Sequence, residues 1–237
     1  RRGGGPSGGR ATSAIGRTVL LVLALALVAT TAVAATPYSY VTEWGSYGTG
    51  PGDFDFPGGC DIGPDGLLYV TDTYNSRIQV FTTSGAFVRK WGGYGTDPGK
   101  LNYPFSVMVD DDGFVYVADS LNHRIQKFTS TGSFVLMWGG AGSDPGKFIV
   151  PIGMAMDPEG NICVVDSGNN RIQKFSPMGY RYATYGGPGT APGTFDNPDS
   201  VVIDEDFRVY ITDTDNHRVQ ILQDNGNWYS YLGQWGL

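Results

Sequence analysis

The sequence predicts an all-β chain, a β-propeller of four-stranded antiparallel blades, on three observations. The first is a period: Trp-Gly pairs at Trp44, Trp91 and Trp138 are followed by Tyr185 in the same slot and then Trp235, at steps of 47, 47, 47 and 50 residues. A repeat of this length made of strand-sized runs reads as one propeller blade per unit. The second is a constant order inside each unit: "WGGYGTDPGK", a proline (Pro57, Pro104, Pro151, Pro198), an apolar strand, an Asp/Gly turn, "VYVADS" and "RIQKF". The third is composition. Glycine numbers 36, aromatics make up 13% and charged residues only 16%, against about 25% charged in an average domain; frequent turns and aromatic-filled strands give that balance.

Residues 1–35 differ from the rest. Arg1, Arg2, Arg10 and Arg17 stand in a Gly/Ser-rich run without acidic residues, followed by the apolar core Val19 to Ala29 and a small-x-small site at Ala32-Val33-Ala34. That pattern is a secretory signal peptide, with an uncleaved membrane anchor over residues 18–35 as the alternative. The expected location is therefore secreted or cell-surface. Without those four arginines, 12 basic side chains face 23 acidic ones, a formal charge of −11. Such a surface repels phosphate backbones and argues against a nucleic-acid partner.

Residues 36–43 contain "YSYVTE", Tyr38 to Glu43, which precedes Trp44 as "AFVRK" precedes Trp91 and so reads as an outermost strand. Four units follow, 44–90, 91–137, 138–184 and 185–234, with a fifth opening at Trp235. In the second unit the strand signals are Ser106 to Val109, Phe114 to Ala118, Arg124 to Phe128 and Ser133 to Met137, rich in Val, Ile, Tyr and Phe. "DDDG", "GPDG" and "STG" supply the turns. No helical periodicity follows the leader, so no helix is expected after residue 36. Cys60 and Cys163 fall at different places in non-adjacent units, and a disulfide needs Cα atoms within about 7 Å, which argues against pairing.

The segment "YPFSVMVDDDGFVYVADSLNHRIQKFTSTGSFVLMWG" resembles the NHL repeat, and the resemblance covers Trp44 to Gly236. It implies propellers that typically have six blades, commonly closed by an N-terminal strand, so the chain is expected to be a fragment of such a ring. It also implies a range of functions, from secreted binding modules and sensor domains to RNA-binding domains and a few lyases.

"VYVADSLNHRIQKF" places Asp119, Ser120 and His123 within five residues, the residue types of a hydrolase. The repeat dissolves that reading. Asp119 recurs as Asp72, Asp166 and Asp213, and Arg124 as Arg77, Arg171 and Arg218, while Ser120 and His123 do not hold. An active site is built once. The D-x-x-N-x-R motif is therefore expected to be structural, its carboxylate capping amides and pairing the guanidinium.

In a four-stranded meander the connection between strands two and three emerges on the same face as the long loop between blades, so these loops form the expected binding face. Slots that vary between units matter most there. After the proline the slot reads Gly58, Phe105, Ile152 and Asp199; in the second connection it reads Tyr74, Leu121, Gly168 and Asp215. The ligand-binding candidates are Tyr47, Tyr74, Tyr94, Phe105, Asp199 and Asp215. Asp61 stands on an innermost strand where other units place Met108, Ala155 and Val202.

No cofactor or metal is expected. His123 and His217 are the only histidines, and the turn from Asp110 to Gly113 lacks the six or more oxygens of a calcium site across the repeats. The expected function is a non-catalytic module binding a protein, peptide or glycan through its loop face. The alternative is a lyase with its site at the central channel, completed by further blades.

Overall fold

The structure, a computed structural model, describes residues 39–236. The leader and anchor expectations for 1–35 lie outside the described residues. Sixteen strands form four sheets, each a four-stranded antiparallel meander. Blade one is β1 (Pro57–Ile62), β2 (Leu67–Asp72), β3 (Arg77–Thr82) and β4 (Phe87–Gly92). Blade two is β5 (Pro104–Val109), β6 (Val115–Asp119), β7 (Arg124–Phe128) and β8 (Phe134–Gly139). Blade three is β9 (Pro151–Met156), β10 (Ile162–Asp166), β11 (Arg171–Phe175) and β12 (Arg181–Gly186). Blade four is β13 (Pro198–Ile203), β14 (Arg208–Asp213), β15 (Arg218–Asp224) and β16 (Tyr229–Gly236). The inner strands β1, β5, β9 and β13 neighbour one another in that order.

Three expectations are corrected. Residues 39–43 form no strand; the outer edge of blade four is occupied by its own hairpin strand, β16 against β15. The Trp-Gly pair that opens each sequence unit closes a blade: Arg77 pairs with Gly92, Arg124 with Gly139 and Arg218 with Gly236. Trp235 therefore belongs to the outer strand of blade four. Finally, the second connection is a single 3-10 turn in three blades, Ser120–Asn122, Ser167–Asn169 and Thr214–Asn216. Each closes on a left-handed residue whose amide bonds back, His123 N–H to the Ser120 carbonyl at 3.1 Å for instance; among the described residues no α-helix occurs.

Strands two and three of blades one to three are largely buried on both faces, so their apolar residues run on without alternation, whereas β14 and β15 of blade four alternate. The core consists of three seams between consecutive blades. Tyr69, Ile78 and Val80 meet Leu101, Val107 and Phe128 across the first. Tyr116, Ile125 and Met108 meet Phe148, Met154 and Phe175 across the second. Val165 and Ile172 meet Phe195, Val201 and Ile211 across the third. The closing tryptophans of blades one and two lie on the next blade: Trp91 contacts Phe128 and Trp138 contacts Phe175, with ring centroids 5.9 Å apart in both pairs. Gly132 (φ +89°) sits beneath Trp91, where a Cβ would lie 2.6 Å from the indole. Only glycine fits there.

The polar chemistry of the seams differs. In blade one the Tyr69 hydroxyl donates to Asp65 at 2.9 Å and accepts from Arg89 at 3.0 Å. In blade two Tyr116 donates to Asp110 at 2.9 Å, and the Lys127 ammonium stands 4.0 Å from the Phe114 ring centroid. At the third seam Cys163 takes the tyrosine slot, and Lys174 bridges Asp157 of its own blade and Asp224 of blade four at 2.8 Å each, all three buried. Desolvation works against the Lys174 charge, but the two carboxylates outweigh it and hold its pKa above the ordinary value. Burial pushes the Cys163 thiol up to about 12. Both cysteines are free.

Candidate functional site

Each blade carries one clamp that fixes its loops. Asp119 is fully buried; its Oδ1 accepts the Asn102 amide at 2.6 Å, and its Oδ2 accepts from Arg124 Nε at 2.7 Å and from Asn122 and Gln126 at 2.9 Å. Arg124 donates onward to the Thr96, Asp97 and Lys100 carbonyls at 2.7 to 3.1 Å, and Gln126 to Lys100 at 2.6 Å. The long loop between blades is thereby tied down by side chains where no ladder exists. Asp72 with Arg77, Asp166 with Arg171, and Asp213 with Arg218 repeat the geometry at 2.6 Å. Desolvation raises the Asp166 pKa against the lowering effect of the Ile149 amide, Asn169 and Arg171. The glutamines Gln79, Gln126, Gln173 and Gln220, overlooked in the sequence, are fully buried members of these clamps.

The residues of the apparent triad serve this frame. Ser120 Oγ donates to the Pro151 carbonyl at 2.6 Å, and His123 Nδ1 accepts the Val150 amide at 3.0 Å. Both bonds reach from blade two to the entry of blade three. Asn170 Oδ1 accepts the Asn197 amide at 2.8 Å across the next seam.

These bonds hold an unusual backbone. The residue before each unit's proline is left-handed in all four blades: Phe56 (φ +55°), Tyr103 (+52°), Val150 (+51°) and Asn197 (+50°). That region costs a bulky or β-branched residue about 1–2 kcal/mol, and glycine would avoid the cost. The four units keep the conformation and change the side chain.

Of the six sequence candidates, two are brought together. Tyr74 stacks on Phe56 with centroids 4.8 Å apart, and Phe105 meets Phe56 edge-on at 6.4 Å; Tyr103 adds a ring 5.1 Å from Tyr74. Phe56 and Tyr103 were missed because only the slot after the proline was compared. Leu121, Ile149 and Val150 continue the apolar surface over blades two and three, Leu121 and Ile149 being exposed. Asp199 and Asp215 sit at the equivalent slots of blade four, both exposed, with exposed Asp196 beside them; the Asp215 amide bonds the Asp196 carbonyl at 3.1 Å. Tyr47 and Tyr94 are 86% and 76% exposed on the long loops and join no ring cluster among the described residues.

A cavity of about 420 Å³ lies between the inner strands, lined by Cys60, Asp61, Met108, Met156 and Val202 among others. Asp61 does not stand free in it: Oδ2 accepts the Val109 amide of blade two at 2.7 Å. Asp199 does not line this cavity. Among the described residues no three His, Cys, Asp or Glu side chains form a metal-sized group.

A family model, NHL repeat, matches residues 54–81, 101–128, 148–175 and 195–222. No curated protein matches the sequence. A streptogramin B lyase structure is similar with TM-score 0.59 and 19% identity, over 76% of this chain and 54% of that one. The virginiamycin B lyase from Staphylococcus aureus gives 0.58 and 17%, over 74% and 54%. A nidogen/laminin complex gives 0.58 and 18%, over 78% and 65%. At these identities the likeness shows the propeller fold alone, and the chain spans between half and two thirds of the length of each.

Proposed function

Since this chain belongs to the NHL-repeat β-propeller family, whose members generally bind protein ligands, we propose that it is a non-catalytic recognition module that takes a protein or peptide on its loop face. The export pattern of residues 1–35 supports a location at the cell exterior. One observation carries the proposal. The left-handed slot before each proline is kept at a cost in strain while its side chain changes from Phe56 to Tyr103, Val150 and Asn197. Strain retained beside variable side chains on a rigid scaffold is the mark of a presenting surface. The clamps supply the rigidity, so little ordering entropy opposes binding.

The test is selection of a random dodecapeptide phage library on the purified full chain. Enriched clones should be released by soluble wild-type protein and not by a folded Phe56→Ala/Phe105→Ala variant. Equal competition by that variant would place the binding surface elsewhere. For location, N-terminal sequencing of protein recovered from the culture medium should begin near Ala35; retention in the membrane fraction would favour the anchor.

A further inference from the structure

The side chains of the loop face change character in order around the blades. Blade one presents Phe56 and Tyr74, blade two Tyr103, Phe105 and Leu121, blade three Ile149, Val150 and Ile152, and blade four Asn197, Asp199 and Asp215 with Asp196. The apolar portion is continuous, because blade connections contact the next blade's entry: Thr73 Oγ1 donates to the Pro104 carbonyl at 2.8 Å, and His123 accepts from Val150. At Gly168 the absence of a side chain lets Ile149 lie over the turn, where a Cβ would meet it at 2.5 Å.

The acidic end is unopposed. Asp196, Asp199 and Asp215 take no side-chain hydrogen bond or ion pair among the described residues, and none of the variable slots holds Lys or Arg. The repeat arginines are engaged in their clamps, Arg77, Arg124 and Arg218 buried and Arg171 half-buried, while Lys100 and Lys147 donate to the Gly92 and Gly139 carbonyls at 3.3 and 2.8 Å. Among the described residues no cation pairs with these carboxylates, and the formal charge of −11 past residue 35 adds a field of the same sign.

We propose that the loop face takes an extended peptide segment that lays aromatic or aliphatic side chains over blades one to three and places Lys or Arg against Asp196, Asp199 and Asp215. This rests on the loop-face reading above and assigns it a ligand class. An occupant crossing four blades must be long, and the face offers apolar area first and charge only at one end. Aromatic anchors set affinity in such interfaces, and the exposed carboxylates set sequence preference and association rate.

The experiment uses peptides synthesised from the enriched phage pool, each with a partner in which its Lys and Arg residues are replaced by Glu, read by fluorescence anisotropy at low and high salt. The pool should be enriched in apolar residues flanked by Lys or Arg, and the Glu partners should bind at least about tenfold more weakly. An Asp196→Asn/Asp199→Asn/Asp215→Asn variant should lose about tenfold for the basic peptides, at about two- to fivefold for each exposed pair, and should flatten the salt dependence. Phe56→Ala should weaken both sets. If Phe56→Ala abolishes binding while the triple Asn variant changes nothing, the loop face stands and the charge assignment falls. If neither variant matters, both fall. An unenriched pool, or capture of neutral glycans on an array in place of peptides, overturns the peptide assignment.

Discussion

Replacing Asp119 by alanine should unfasten blade two without touching the ligand surface. The carboxylate is fully buried and accepts four hydrogen bonds of 2.6 to 2.9 Å, one of them from a guanidinium that is itself only 8% exposed. Removing one partner of a buried pair costs about 3–5 kcal/mol, because the other charge is left in a poor medium. The four bonds should not be summed. Arg124 keeps the Thr96, Asp97 and Lys100 carbonyls and Gln126 keeps Lys100, so solvent need only replace the centre of the cluster. At about 2–4 °C per kcal/mol for a domain of this size, a cost near 4 kcal/mol lowers Tm by about 8–16 °C. Asp119→Asn should be nearly as costly, since its amide would face the Arg124 and Gln126 donors. The assay is calorimetric melting, together with hydrogen exchange of the Gly95, Gly99 and Leu101 amides in the loop that the clamp holds. A Tm within 3 °C of wild type for either variant, or a selective loss of peptide binding at full stability, would refute the structural role assigned to the motif.

Gly132→Ala combines left-handed strain with the Trp91 indole at 2.6 Å, for about 3 kcal/mol and a Tm fall of about 6–12 °C; Gly226→Ala, at the same φ with nothing within 4 Å, should lose only about 1–2 kcal/mol, and calorimetry separates the two. Val150→Asn installs the residue that blade four already carries in that conformation and should raise Tm by about 2–4 °C, from about 1 kcal/mol of relieved strain, while weakening peptide binding. With the Cys163 thiol buried and pushed up to about 12, a thiol reagent at pH 8 should titrate exposed Cys60 alone in the native protein and both cysteines in guanidinium. Lys174→Met should cost about 3–5 kcal/mol by leaving Asp157 and Asp224 without a cation. Because the Lys174 pKa is raised on folding, its contribution is complete below the ordinary 10.5 and lost only as pH climbs through the raised value. The Tm difference from wild type should therefore be flat between pH 6 and 9 and shrink only in stronger alkali.

The strands were legible because their chemistry is local. Arg124 to Phe128 coincides with β7, and the neighbouring strands differ from expectation by one or two residues. The phase of the blade was not legible from the period, since a repeat looks the same wherever counting begins; only the pairing of Arg124 with Gly139 reveals that Trp138 closes its blade. The clamp was half visible. Asp and Arg stand out as charges, whereas Gln126 reads as a surface residue of a strand until its burial is known. At the loop face the residue before a proline is ordinarily extended and unremarkable in sequence. Its left-handed turn at Val150 and Asn197 is held by His123 and Asn170 of the preceding blade, which no local reading supplies.

Modules cut to one pattern risk joining in the wrong order while the chain is still assembling, a characteristic failure of repeat proteins. The third seam guards against this with a lysine shared between Asp157 of its own blade and Asp224 of blade four, while at the first seam Arg89 reaches across to the Ser130 carbonyl of blade two at 2.9 Å. If blade three received a neighbour without Asp224, Lys174 would lose half of its counter-charge. A mismatch of that kind costs several kcal/mol where a correct match gains little. The Lys174 triad thus acts less as glue than as a page number, marking which leaf follows blade three.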